Sequence, residues 1–167
     1  MIENIDLQTF TGLDDLTALN MASNNLQVVD TQIFQSLKKL TYINLSFNHL
    51  TSISSNIFKG LTKLNEIVLT TNELTFIHPD TFRGLFELSR VNISYNQLAM
   101  IDSKIFNGCF KMKCVNLSFN KFPVHDFSYF EGLPEDCLFY LNEEREKVNF
   151  LSYNEIDSIN LQSAVID

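Results

Sequence analysis

The chain has 167 residues, 45% of them apolar, with 15 phenylalanines, 5 glycines, 3 prolines and a formal net charge of −8. That composition supports a continuous core and leaves little Gly and Pro for long disorder, while the negative balance argues against nucleic acid or an anionic membrane surface as partner, although local basic clusters can still bind anions. Met1-Ile2-Glu3-Asn4 has neither a basic start nor an apolar signal core, and no apolar run approaches the roughly 18 residues needed to cross a bilayer.

The chain is built on a 24-residue repeat, most easily read with Leu40 as position 1. Residues 1–15 hold only the second half of a unit: Ile2, Ile5, Phe10 and Leu13 take positions 11, 14, 19 and 22. A solenoid end needs a polar cap over its last apolar layer. The chain is therefore expected to be a fragment, with further repeats or caps in the same full-length protein.

Residues 16–133 hold five full units. Position 1 is Leu16, Leu40, Leu64, Leu88 and Met112; position 4 is Leu19, Ile43, Ile67, Val91 and Val115; position 6 is Met21, Leu45, Leu69, Ile93 and Leu117. Positions 4 and 6 point inward while 3, 5 and 7 point out, the period of a short strand, and successive strands are expected to pair in a parallel sheet. Asn24, Asn48, Asn72, Asn96 and Asn120 occupy position 9. The chain turns there, and a carboxamide both donates and accepts, so it can satisfy the backbone groups buried between layers. Phe10, Phe34, Phe58, Phe82, Phe106 and Phe130 occupy position 19, where they stack as a spine on the outer side of each turn. Every glycine falls at position 21, where only Ser36 departs.

This LxxLxLxxNxL run with its FxGL ending resembles the leucine-rich repeat family, in the "typical" class common in extracellular receptors and matrix proteins. The resemblance implies an α/β repeat solenoid: a curved rod with a parallel sheet on its concave face and short helical or irregular turns on its convex face. Asp6, Asp30, Asp102 and Asp126 at position 15 read as caps of a single helical turn. A calcium ladder is the sharper alternative, weakened by Ser54 and His78 at the same position.

After Leu133 the frame is expected to break. Residues 134–167 read as an inserted helix, Pro134 to Lys147 with Leu138 and Leu141 on one face, followed by one degenerate repeat whose position 9 is Asn154.

Cys109 replaces a core leucine and reads as a small buried apolar residue; Cys114 and Cys137 are free or bridged. Asn44, Asn92 and Asn116 begin Asn-X-Ser sequons and are candidate N-glycosylation sites, or by-products of the repeat. His49, His78 and His125 sit at unrelated positions of the frame, and phosphate-loop, HExxH and CxxC motifs are absent. No catalytic, cofactor or metal residue is assigned.

Positions 2, 3, 5, 7 and 8 would form a concave wall that the fold leaves free to vary. Tyr42, Phe47, Glu66, Arg90, Tyr95, Lys113 and Phe119 are its candidate partner-binding residues, aromatics and arginine being favoured interface anchors; the position-8 aromatics also have a structural reading, folded over the sheet edge. Lys38, Lys39, Lys59, Lys63, Arg83, Lys111 and Lys113 gather between positions 20 and 2. A solvated surface accounts for most of this, and a specific basic binding edge is the alternative. The expected function is a non-catalytic, extracellular or cell-surface module that binds a protein ligand, without inserting in a membrane. The alternative is a cytoplasmic scaffold or regulatory subunit serving an enzyme on another chain.

Overall fold

Three-residue strands recur at the spacing of the sequence period: β1 (Ala18–Asn20), β2 (Tyr42–Asn44), β4 (Glu66–Val68), β6 (Arg90–Asn92) and β7 (Cys114–Asn116). The computed structural model describes residues 1–123, 133, 134, 136–141, 148 and 149. The strands pair in parallel, each residue beside its equivalent one unit on, so that Leu19, Ile43, Ile67, Val91 and Val115 form one buried row. Position 6 forms a second row, and together with Leu26, Leu50, Leu74 and Leu98 at position 11 these make a core running the length of the rod.

Beyond the asparagine turn, β3 (Ser52–Ile53) and β5 (Phe76–Ile77) pair as a small second parallel sheet. The convex side then returns through turns. Of the short helical or irregular turns expected there, the described residues take the irregular kind, successive i→i+3 turns. In one unit Ile33 N–H donates to Asp30 C=O, Gln35 to Gln32 and Leu37 to Phe34, at 3.3, 3.1 and 3.0 Å.

Gly60 closes its turn at φ +82, and the other described glycines at this position are likewise positive. Ser36, which carries a Cβ, avoids that region; there Lys38 N–H donates to Ser36 C=O at 2.8 Å in a tighter i→i+2 turn.

The chain also departs from expectation after Leu133. Leu138–Tyr140 is not part of a helix but strand β8, pairing in parallel with β7 in the register of the frame, Cys114 beside Leu138 and Val115 beside Phe139. Phe139 thus fills position 4 and is buried. The preceding turn closes one residue later than in other units, by Cys137 N–H to Pro134 C=O at 3.0 Å. Val148–Asn149 forms β9, antiparallel to β8 and hence not the next turn of the solenoid. The segment 150–167, with the degenerate repeat around Asn154, lies outside the described residues, as do Phe130, His125 and Asp126.

Candidate recognition surface

The position-9 asparagines determine where the wall ends. Asn72 Oδ1 accepts from Leu50 N–H of the preceding unit at 3.0 Å, and its Nδ2 donates to Leu45 C=O at 3.0 Å and to Leu69 C=O at 3.1 Å. Asn48, Asn96 and Asn120 repeat the arrangement, and Asn24 accepts from Ile2 N–H at 2.8 Å, so the frame is already present at the second residue. One consequence is the backbone just before each asparagine. Ser23, Phe47, Thr71, Tyr95 and Phe119 at position 8 all have φ between 53 and 59, a region costing roughly 1 kcal/mol for a side chain of this kind. It is held by ladder bonds such as Phe47 N–H to Thr70 C=O and Tyr95 N–H to Ser118 C=O, both 3.0 Å.

Of the seven candidate partner-binding residues, Tyr42, Glu66 and Arg90 stand side by side on β2, β4 and β6. Arg90 donates from Nε and Nη2 to Glu66 Oε2 at 2.9 and 2.6 Å, so these two charges present as a pair. Lys113 is exposed one row away. At the far edge Phe47 and Tyr95 are 57% and 52% exposed, which leaves more than half of each ring for a partner. Tyr95 lies face to face on the half-buried Phe119, centroids 4.1 Å apart. Thr71 separates Phe47 from that stack.

Between these rows lie Asn44, Asn92 and Asn116. Each carboxamide oxygen accepts from the backbone N–H and the hydroxyl of its own sequon serine, Ser46, Ser94 or Ser118, with the hydroxyl bonds at 2.6, 2.7 and 2.7 Å. Asn20 makes the same backbone bond to Ala22 N–H without any sequon. The asparagine thus has a local bracing duty independent of modification.

The position-15 side chains share one task. Asp6, Asp30 and Asp102 accept the N–H two residues on at 2.8 Å, and Ser54 Oγ and His78 Nδ1 do the same at 3.3 and 3.1 Å. Hydroxyl and imidazole substitute for carboxylate because only one acceptor is required, and no metal-holding group of His, Cys, Asp and Glu occurs among the described residues. His49 Nδ1 contacts Glu73 Oε1 at 2.8 Å on another row. All three thiols are free. Burial pushes Cys109 up to about 11 and Cys137 up to about 12, with Cys114 and Asp136 adding to the latter. Cys114 is raised by burial and by Glu66 against the lowering effect of Arg90.

One feature was missed at the sequence level. Phe86 and Phe110 at position 23 are 57% and 77% exposed, and Phe110 lines a 310 Å³ recess with Arg90, Lys113 and Asp136 at the entering edge of the wall. The signal was available, since Asp14, Lys38 and Thr62 are polar at the same position.

The leucine rich repeat family profile matches residues 1–50 and 39–98. The chain belongs to the leucine-rich repeat family. Among solved structures, this leucine-rich repeat chain is similar to the leucine-rich repeat domain of APL1B, with 29% identity and a TM-score of 0.66 over 71% of this chain and 35% of that one. It is also similar to a chain of the LRIM1/APL1C complex, with 28% identity and a TM-score of 0.66 over 71% of this chain and 22% of that one. A third similar structure is the TLR13–ssRNA13 complex, with 24% identity and a TM-score of 0.76 over 87% of this chain and 21% of that one, a likeness of fold. The repeats thus span between 21% and 35% of those chains. Among curated proteins no sequence match was found. No helix among the described residues is long and apolar enough to cross a membrane. The family's fold typically serves as a protein-recognition repeat module.

Proposed function

We propose that this chain is a non-catalytic recognition segment of an extracellular receptor, adhesion or matrix protein, and that it takes a protein ligand on its concave wall. The observation that carries this reading is the solvent-facing row Tyr42, Glu66 and Arg90 in register across three strands, bordered by the exposed rings of Phe47 and Tyr95. Nothing in the core or the turns requires these side chains, so their chemistry is available for a partner. Lys113 and Phe119 extend the surface toward β7. A net charge of −8 favours a protein over nucleic acid as the ligand. The LRIM1/APL1C complex is a protein assembly of similar repeats and supports the same choice.

Tyr42→Ala with Arg90→Ala is expected to weaken capture of the natural partner at least about tenfold, the effect of losing anchor residues from an interface, while the melting curve stays near that of the parent. Unchanged capture would move the site to the convex side or an edge. In a secreted protein, glycans on Asn44, Asn92 and Asn116 would narrow the wall toward its two edge rows; mass spectrometry of material from the native source decides their presence. The three free thiols favour the cytoplasmic alternative. An upstream coding sequence with a signal peptide and a cysteine-rich cap would sink that alternative.

A further inference from the structure

Four of the 12 basic residues, Lys38, Lys39, Lys59 and Lys63, converge at one step between adjacent units of a chain whose net charge is −8. Pairing of β2 with β4 sets each residue beside its equivalent one unit on, which puts Lys63 next to Lys39. Lys38 reaches across to the following turn, where its Nζ lies 2.9 Å from the place a Cβ on Gly60 would occupy. The missing side chain at Gly60 leaves room for this ammonium against the turn that carries Lys59. All four lysines are exposed.

Of the acids near this edge, Asp14 lies one unit before Lys38 without an ion pair, and the others are already engaged. Asp15 engages Lys39. Glu87, the register neighbour of Lys63, is held by Lys111 through both oxygens at 2.7 Å. Asp80 faces Arg83 at 3.5 Å. Among the described residues no carboxylate is within ion-pair distance of Lys38, Lys59 or Lys63. The rest of the negative charge does not cancel the cluster, because screening at physiological ionic strength limits exposed charges to about 8 Å.

We propose that Lys38, Lys39, Lys59 and Lys63 form a docking site for a linear sulfated polysaccharide. A thin polyanion touches the cluster alone, whereas an anionic membrane surface would also meet the repulsion of the acidic rod. Single-stranded nucleic acid binds through aromatic platforms for its bases as well as charge. The surroundings here are Ser36, Asn56, Gly60 and Thr62, and the one exposed ring beside them, Phe86 next to Thr62 in register, is a single platform rather than the succession that a run of bases stacks on. Lysine ammoniums are compact, hydrated point charges that meet sulfate groups without demanding a fixed planar geometry. The site is independent of the concave wall.

Heparin oligosaccharide binding to the whole chain at physiological ionic strength tests this, with Lys38→Gln plus Lys63→Gln compared against Lys104→Gln plus Lys121→Gln, which removes the same charge elsewhere. The first pair is expected to weaken binding about tenfold and the second less than about twofold, both with parental melting curves. Absence of heparin binding by the parent, or equal losses in the two pairs, would overturn the proposal. So would binding of poly(U) or of phosphatidylserine vesicles as tight as that of heparin.

Discussion

The unit that begins at Leu64 and the segment that begins at Asp136 build the same strand from different inventories. The first has Leu64, Ile67 and Leu69 fully buried at positions 1, 4 and 6 and Asn72 at position 9. The second has an exposed aspartate at position 1 and a half-buried Leu141 at position 6. It still pairs in register, with Leu138 N–H donating to Lys113 C=O at 2.9 Å and Leu117 N–H to Tyr140 C=O at 2.7 Å. Two buried side chains, Cys137 and Phe139, and the backbone ladder of the preceding strand suffice to seat it. The consensus leucine and asparagine therefore add stability to a layer whose position the neighbouring strand has already set.

The largest expected effect sharpens this contrast at the aromatic spine. Phe82 stacks on Phe58 and Phe106 with centroids 6.3 and 5.6 Å away, and Phe82→Ala should cost about 3–5 kcal/mol in urea unfolding. Phe139→Ala should cost less, near 2 kcal/mol, because the terminal layer has fewer neighbours. Equal losses would show the two layers to be alike; no loss at Phe139 would place Asp136–Leu141 outside the cooperative unit. Next comes Asn72→Leu, which orphans a buried N–H and two carbonyls and should cost about 2–3 kcal/mol. A parental melting curve would remove the asparagine from the account.

Smaller effects separate the turns. Gly60→Ala forces a side chain into a left-handed turn and should cost about 1 kcal/mol, whereas Ser36→Gly, where φ is already negative, should cost only the added chain entropy, on the order of 0.5 kcal/mol. A reversed order would mean that the two turns are conformationally equivalent. A separate effect, confined to alkaline pH, operates at Cys109, whose ordinary value of 9.0 rises to about 11 on folding. The unfolded thiol ionises first, so the associated stability is fully present below pH 9 and declines as pH rises toward 11. Cys109→Ala should remove that part of the alkaline decline, read by urea titrations across the window.

Much of the solenoid was legible because the side chains that build it answer to one-dimensional rules. Leucine alternation specifies an inward face, Asn at the turn supplies donor and acceptor together, and Gly permits positive φ. The end near Asp136 was misread because Pro134 and the missing leucine disguised a frame that continues through Phe139. Turn type was open between helical and irregular: Asp30 at the head of its turn and the apolar residues after it suit a helical turn locally, and the tertiary structure settles on successive i→i+3 turns.

The sequence by itself determined the period, the inward rows and the list of side chains left over, because each is a property of one unit repeated. Tertiary structure alone decided which leftovers meet. Tyr95 lies on Phe119, Glu66 is taken up by Arg90, and Lys38 crosses to Gly60, because stacking turns one strand spacing apart turns residues 22 to 24 apart into neighbours. Pairing and charge cancellation depend on that third dimension, and so does the contrast between the Glu66–Arg90 pair on the wall and the lysines left unpaired at its edge.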